Sequence, residues 1–467
     1  MKTRVLLVSN NGCTTPDPVF PLGLSFLNSA LRQAGHETLW ADKLAGNESI
    51  ADLAAGFRPD AAGISVRNID DVIISKQETY FDNLALLVEI IHQAAGCPVV
   101  LGGSGFSIFP RQLLELSGAN YGICGEGETA FVSLLAALGN QSGLSTIPGL
   151  VYRINGRVVV NRNEGGSPNC HLTADDRPAA IAGYYLRDGG MMNLQTQRGC
   201  ACHCCYCTYP LIEGSRSRRR DAETVADEFE QLQDLGCRYV SIVDSVFNSS
   251  PRHVTEICEA LLRRRTKLPW GCFLRPQGLN AELMRLMRRA GLSHIEFGSD
   301  SFNDEVLAAY QKGLTFDDIE HSSELAAREE IDVCHFLIIG GPGETMETLR
   351  RSCEASRHLK DAVIMSVVGM RIYPETPLFH QAVAEGLLPP DRNLLAPTYY
   401  LSAELHQEAV FTLLKAFARQ SPNWIVGDPV PAYRKLVERL RKRGMSGPLW
   451  SYLSVMQRLT PASAREQ

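Results

Sequence analysis

No apolar stretch in the 467 residues approaches the roughly 20 needed to span a bilayer. A membrane-crossing segment is therefore not expected. The opening residues, Met1-Lys2-Thr3-Arg4-Val5-Leu6-Leu7-Val8, run into Ser9, Asn10 and Asn11 with no signal-peptide core, which reads as a cytoplasmic protein. A basic excess is also missing: 46 Lys and Arg stand against 52 Asp and Glu, a net charge of −6. That sign argues against a protein built to neutralise nucleic-acid phosphates. Neither glycine-rich nucleotide fingerprint follows the first strand-like run, so the usual dinucleotide or P-loop site is disfavoured. What remains is globular composition, 45% apolar and 21% charged, with 39 Gly and 24 Pro scattered along the chain. The length predicts two or three domains.

Cysteine is the one residue in excess. Of 14, five (Cys200, Cys202, Cys204, Cys205 and Cys207) fall within eight residues, and the others are dispersed. A disulfide scaffold spreads its pairs through a short secreted chain, whereas a dense cluster in a large chain without an export signal points to metal.

The N-terminal part alternates strand-like and helical runs. Strands are expected at 4–10, 37–41, 61–66, 98–101 and 121–124, and helices at 22–34, 81–95 and 129–138. This pattern predicts a doubly wound, Rossmann-like parallel sheet whose ligand lies beyond the strands' carboxyl ends. At those ends stand Ser65, Arg67 and Asn68, then Gly102-Gly103-Ser104-Gly105, then Gly125-Glu126-Gly127. Glycines there either let a large ligand approach the backbone or simply make tight turns. Asn155-Gly156 signals a hairpin.

In the central part, Cys200, Cys204 and Cys207 have the spacing Cys-x3-Cys-x2-Cys. Three thiolates on a short loop can hold three irons of a 4Fe-4S cluster and leave the fourth open. Zinc would need a fourth ligand. Cys202, His203 and Cys205 are near enough to supply one, but neighbours on a tight loop point apart. Downstream, strand-like runs at 239–244, 271–274, 294–298, 333–339 and 365–373 are separated by amphipathic helices at 222–235 and 252–265, which predicts a parallel (β/α) barrel.

The cysteine loop, with Tyr206 just before its third cysteine, resembles that of the radical S-adenosylmethionine (SAM) enzymes. The strand-end segments at Asp244, Arg275-Pro276, Asp300-Ser301, Gly341-Pro342 and Ile372 are similar to those of members that carry an N-terminal cobalamin domain. The resemblance covers about residues 1–390. It implies a cobalamin-binding domain at 1–145, a linker at 146–188, a partial (β/α)6 radical SAM barrel at 189–390 and a helical C-terminal region at 391–467. It further implies a 4Fe-4S cluster on Cys200, Cys204 and Cys207, and SAM near Tyr206, Asp244, Arg275, Asp300, Ser301, Gly341, Pro342 and Ile372. Cobalamin, as methylcobalamin, would lie over Ser65, Arg67, Asn68, Gly102, Gly103, Ser104, Gly105, Gly125, Glu126 and Gly127. Asp300 is one methylene shorter than the Glu often found at its position. No Asp-x-His-x-x-Gly motif occurs in the first domain, so the cobalt's lower face is expected to lack a histidine.

In such enzymes one electron cleaves SAM to methionine and a 5'-deoxyadenosyl radical. The activity implied is C-methylation of an unactivated carbon in a small-molecule, lipid or carrier-bound intermediate. An oxidative cyclase or ring-rearranging enzyme that transfers no methyl is the alternative. Flavodoxin or ferredoxin would supply the electron. In the C-terminal region Leu413, Leu414, Phe417, Leu436 and Leu440 fall at helical spacings. Tyr399, Tyr400, Trp424, Trp450 and Tyr452 are read as core or as cavity walls. Arg216, Arg218, Arg219 and Arg220 are candidates for binding a carboxylate, a phosphate or an acidic carrier.

Overall fold

A computed structural model describes residues 2–14, 17–46, 48–140, 143–163, 166, 171–359, 361–427 and 438–452. The expected helical position Leu436, like Arg434 and Lys435, lies outside them. The chain divides into two compact units, one comprising Met1–Asp71, Glu78–Arg187 and Thr208–Arg218, the other Val72–Gln77, Asp188–Cys207 and Arg219–Gln467.

The first unit is built on a seven-stranded sheet. Its five parallel strands lie in the order Glu37–Asp42, Arg4–Ser9, Ala61–Ser65, Val99–Gly102, Tyr121–Ile123, followed by an antiparallel pair, Leu150–Ile154 and Arg157–Val160. Val5, Leu6, Leu7 and Val8 form a continuous apolar strand because helices cover both faces and every side chain of the run is buried. Helices Leu22–Gln33 and Glu128–Asn140 pack together, as do Ile50–Phe57 and Leu84–Ala95. The chain order places the topological switch between Arg4–Ser9 and Ala61–Ser65, where doubly wound sheets receive ligands. The expected elements are found within a few residues of their sequence positions. Residues 150–160, within the stretch read as a linker, contribute the last two strands at one side of the sheet. Asn155 (φ 50°) and Gly156 (φ 77°) close that hairpin in the left-handed region its tight turn requires.

The second unit is an open sheet of parallel strands, in spatial order Met191–Leu194, Tyr239–Ile242, Trp270–Leu274, Leu292–Asp300, Asp332–Ile339, Ala362–Val368 and Trp424–Val426. The first six follow chain order with helices between them, the expected six-stranded partial barrel. The seventh is a correction to the C-terminal region. That region supplies the expected helix, Gln407–Gln420, but also Trp424–Val426, which pairs in parallel with Ala362–Val368. Three residues are too few to show a period in the sequence, and only the barrel edge makes them a strand. Trp424 and Trp450 are buried, as core residues. No helix among the described residues is long and apolar enough to cross a membrane.

Candidate functional site

In the first unit the strand-end turns are bound to one another through the backbone. Val66 donates to the Gly102 carbonyl at 2.7 Å, and Gly105 donates to the carbonyls of Val66 and Arg67 at 3.0 Å. Ser104 Oγ donates to the Arg67 carbonyl at 2.8 Å. The glycines divide into two kinds. A Cβ at Gly103, whose φ is 97°, would lie 2.6 Å from the Val66 carbonyl oxygen, and one at Gly125 would lie 2.2 Å from Asn163 Nδ2. Both are demanded by the protein's own packing. At Gly102 and Gly127 the nearest atoms would be 3.8 and 3.9 Å away, so these two leave room beside the sheet edge.

Ser65, Arg67, Asn68, Gly102, Gly103, Gly125 and Gly127 are partly exposed, Ser104 is exposed and Gly105 is buried. Burial lowers the pKa of Arg67, opposed by Tyr209, Cys13 and Tyr185. Glu126, expected among the cofactor contacts, instead forms a bidentate pair with Arg218. That pair also removes Arg218 from the anion-binding candidates. Arg220 is likewise committed, pairing with buried Glu228 and donating to the Gln195 carbonyl at 2.7 Å. This partly exposed, glycine-lined edge without a histidine suits a flat, bulky group held by shape, and so fits a corrinoid.

In the second unit Cys200 is buried, while Cys202, Cys204 and Cys207 are partly exposed. The loop carrying them is held at both ends. Asp244, at the end of Tyr239–Ile242, accepts from the backbone N–H of Thr196 at 2.7 Å and of Gln197 at 3.2 Å, and from the Thr196 hydroxyl. The Thr196 hydroxyl also lies 3.2 Å from His253 Nε2, and burial pushes that imidazole down to about 4. Cys205 is fixed by its main chain: it donates to the Tyr310 carbonyl at 3.0 Å and accepts from Leu378 at 2.8 Å. Its side chain is buried. Arg275 Nη1 donates to Cys202 Sγ at 2.6 Å, and Nη2 to the Lys312 carbonyl at 2.8 Å. A hydrogen bond from Cys200, followed by the Arg275 charge, draws the Cys202 thiol below its ordinary range.

Tyr206 Oη donates to Asp300 Oδ2 at 2.6 Å, and Lys312 Nζ lies 2.8 Å from the same oxygen. Asp300 is buried and adopts φ 62°, a left-handed conformation that a non-glycine residue reaches only under constraint. A register shift between Phe297 and Asp300 supplies that constraint. Ser301, expected beside SAM, turns its hydroxyl to Ser352 Oγ at 3.3 Å and the Asn303 N–H at 3.2 Å, so its polar group serves the fold. Gly341 donates to Tyr310 Oη at 2.9 Å, and a Cβ there would overlap the Tyr310 ring and Met370 Cε. Pro342 and Ile372 are buried.

Among the described residues no three His, Cys, Asp or Glu side chains converge as a single metal ion requires. In a 4Fe-4S cluster each thiolate binds its own iron, so three cysteines on one anchored loop fit the cluster without that convergence. Thr196, Tyr310, Lys312 and Glu344 were not singled out in the sequence. Glu344 alone had a signal, as the acidic residue that closes the Gly340-Gly341-Pro342-Gly343-Glu344 turn.

Comparison with known proteins agrees with this division. The B12 binding domain model matches residues 12–135, and the Radical SAM superfamily model matches residues 194–355. The chain is 26% identical over 432 residues to tryptophan 2-C-methyltransferase of Streptomyces laurentii, covering 76% of this chain and 71% of that one. It is 24% identical over 451 residues to cytidylyl-2-hydroxyethylphosphonate methyltransferase of Streptomyces wedmorensis, covering 82% of each. The solved structure of TsrM from Kitasatospora setae, a radical S-adenosylmethionine methyltransferase with cobalamin and a [4Fe-4S] cluster bound, superimposes over 100% of both chains, with a TM-score of 0.85 at 24% identity.

Proposed function

We propose, from the chain's membership of the cobalamin-dependent radical SAM methyltransferase-like family, that it methylates an unactivated carbon of a small-molecule, lipid or carrier-bound intermediate. The observation that carries the reading is the anchored loop with Cys200, Cys204 and Cys207, in one chain with a glycine-lined B12-binding sheet edge. Those three cysteines would hold the cluster. Arg275 and the Asp300–Tyr206–Lys312 group would border SAM, and Ser65 to Asn68, Gly102 to Ser104 and Gly127 would face the corrinoid. When bound, these groups supply an electron, a hydrogen-abstracting radical and a methyl donor.

The chain's own residues keep that chemistry in place. Asp244 and Thr196 fix the entrance of the cysteine loop, and Cys205 fixes its middle through backbone bonds. Lys312 pairs with buried Asp300, and the same carboxylate oxygen accepts from Tyr206 and holds it beside the third cysteine. Supporting this reading, the two named relatives act on unlike substrates, tryptophan and a cytidylyl phosphonate, by the same kind of transfer. Anaerobic incubation of the reconstituted enzyme with SAM, a flavodoxin or ferredoxin reducing system and candidate metabolites should yield a product heavier by one CH2 unit. A product without that gain would favour the oxidative cyclase. Absence of any SAM consumption would overturn both.

A further inference from the structure

Along the strands of the second unit the outward side chains are buried, while several inward ones are not. Trp270, Cys272 and Leu274 are buried; Trp270 donates to the Ala290 carbonyl at 2.9 Å, and its ring lies 5.5 Å from Phe247. On neighbouring strands Ser299 and His335 bond to each other, and His335 to Ser323 of helix Phe316–Arg328, which marks the same outward side. Phe273, Glu296, Phe336 and Met365 therefore point inward, on strands aligned Phe273 with Glu296 and Phe336 with Met365. In a filled barrel such residues bury one another. Here Phe273 is 39% exposed, and Glu296, Phe336 and Met365 are only partly buried.

In the register row of Phe273 and Glu296 stand Cys334 and Val363, which pack with Leu449, Trp450 and Ile425, and Phe336 and Met365 lie two residues nearer the strand ends against the same group. His294 stands edge-on to both Tyr239 and Trp450, at 5.4 and 5.6 Å. Trp450 Nε1 donates to Glu296 Oε1 at 2.9 Å, and among the described residues no Lys or Arg reaches that carboxyl. The Phe273 and Phe336 ring centroids are 6.0 Å apart. A carboxyl served by one neutral donor, with one aromatic ring in its own register row and another two residues nearer the strand end, complements a cation carried on a flat apolar frame. Gly298, two residues on and about 7 Å nearer the strand end, falls between Glu296 and Asp300 of the expected SAM level.

We propose that Glu296, Phe273 and Phe336 form a subsite for a small molecule that joins a basic amine to an aromatic or planar apolar body. Its role as a substrate subsite rests on the methyltransferase reading; the binding chemistry does not.

The test uses the reconstituted holoenzyme and three probes of one frame: 2-phenylethylamine, 2-phenylethanol and 3-phenylpropionate, titrated by ligand-observed NMR. The amine should bind about tenfold more tightly than the alcohol, and the acid most weakly. Glu296→Gln should erase that preference with SAM affinity retained, Glu296→Asp should keep part of it, and Phe273→Ala should weaken all three probes. Equal affinities in the parent protein would overturn the proposal, as would a preference that survives Glu296→Gln. So would loss of SAM affinity in its place, which would make Glu296 a SAM contact. If Glu296→Gln does not fold, the parent protein's preference and Glu296→Asp still decide the question. An intact amine preference in a protein that never consumes SAM would refute the functional reading and leave the subsite standing.

Discussion

The two sets of strand ends solve different problems. In the first unit the turns at Ser65–Asn68, Gly102–Gly105 and Gly125–Gly127 meet mainly through backbone bonds. In the second unit the ends are joined by side chains: Asp244 to Thr196, Asp300 to Tyr206 and Lys312, Arg275 to Cys202, Glu344 to Tyr310. A sheet edge that presents backbone and glycine selects a large rigid group by shape. A barrel mouth of interlocked charges orients smaller groups by direction. Mutations should separate these modes, glycine changes acting on corrinoid retention and side-chain changes on SAM and cluster.

The largest effect belongs to the cysteines. Alanine at Cys200, Cys204 or Cys207 should abolish the cluster's visible absorbance and all SAM cleavage. Cys205→Ala should leave both, since Cys205 holds the loop by its main chain. Cys202→Ala should keep the absorbance while freeing Arg275. If Cys202 proves as necessary as Cys204, the ligand assignment is wrong.

Next comes the Asp300–Lys312 pair, whose side chains are 4% and 10% exposed. Removing one partner of a buried pair leaves an uncompensated charge and costs about 3–5 kcal/mol. Lys312→Met should lower stability by that order in denaturant unfolding. Lys312→Met with Asp300→Asn should recover most of it, which a purely local packing defect would not.

Glu344 offers a test through pH. It accepts from Tyr310 Oη at 3.0 Å and from the Gly340 N–H, yet burial holds its carboxyl up at about 7. A raised folded-state value means the folded protein prefers the protonated form. This contribution is fully present below about 4.5 and is lost as pH rises through about 7. Glu344→Gln should remove that slope between pH 5 and 8. Glu296, also held up to about 7 by burial, acts in the same direction, so the difference between parent and variant isolates Glu344. An unchanged slope would show that Glu344 is already ionised against its donors.

How much of this could be read in the sequence depended on how far apart the cooperating residues lie. The strands and helices of the first unit, and the five barrel strands from Tyr239–Ile242 to Ala362–Val368, carry apolar periods, and the cluster loop packs its cysteines within eight positions. The partners that hold the site are remote. Lys312 meets Asp300 across a helix and a turn, Thr196 meets Asp244 across 48 residues, and Trp450 meets Glu296 across 154. None has a local pattern, because only the parallel register brings adjacent strand ends together. The strand Trp424–Val426 was missed for a related reason, since its three residues become a strand only by pairing with Ala362–Val368.

The smallest effect separates two adjacent glycines of the first unit. Gly103 adopts φ 97°, and its Cβ would sit 2.6 Å from the Val66 carbonyl and 3.1 Å from Ser65 Oγ. Alanine there must strain the backbone and displace the turn that Val66 and Gly105 share, a cost of about 1–3 kcal/mol. Gly102 has no such conflict, for the nearest atom to its Cβ would be the Ile123 carbonyl oxygen at 3.8 Å. Gly102→Ala should therefore unfold within a few tenths of a kcal/mol of the parent, as for other unstrained surface changes. If the sheet edge is a cradle for the corrinoid, the same methyl group occupies ligand space. Gly102→Ala should then retain clearly less hydroxocobalamin after gel filtration than the parent's one per chain, at unchanged stability. Gly103→Ala should lose stability and corrinoid together. Full retention in a stable Gly102→Ala protein would mean that the glycines of this edge serve only the turn, and that the corrinoid is held elsewhere.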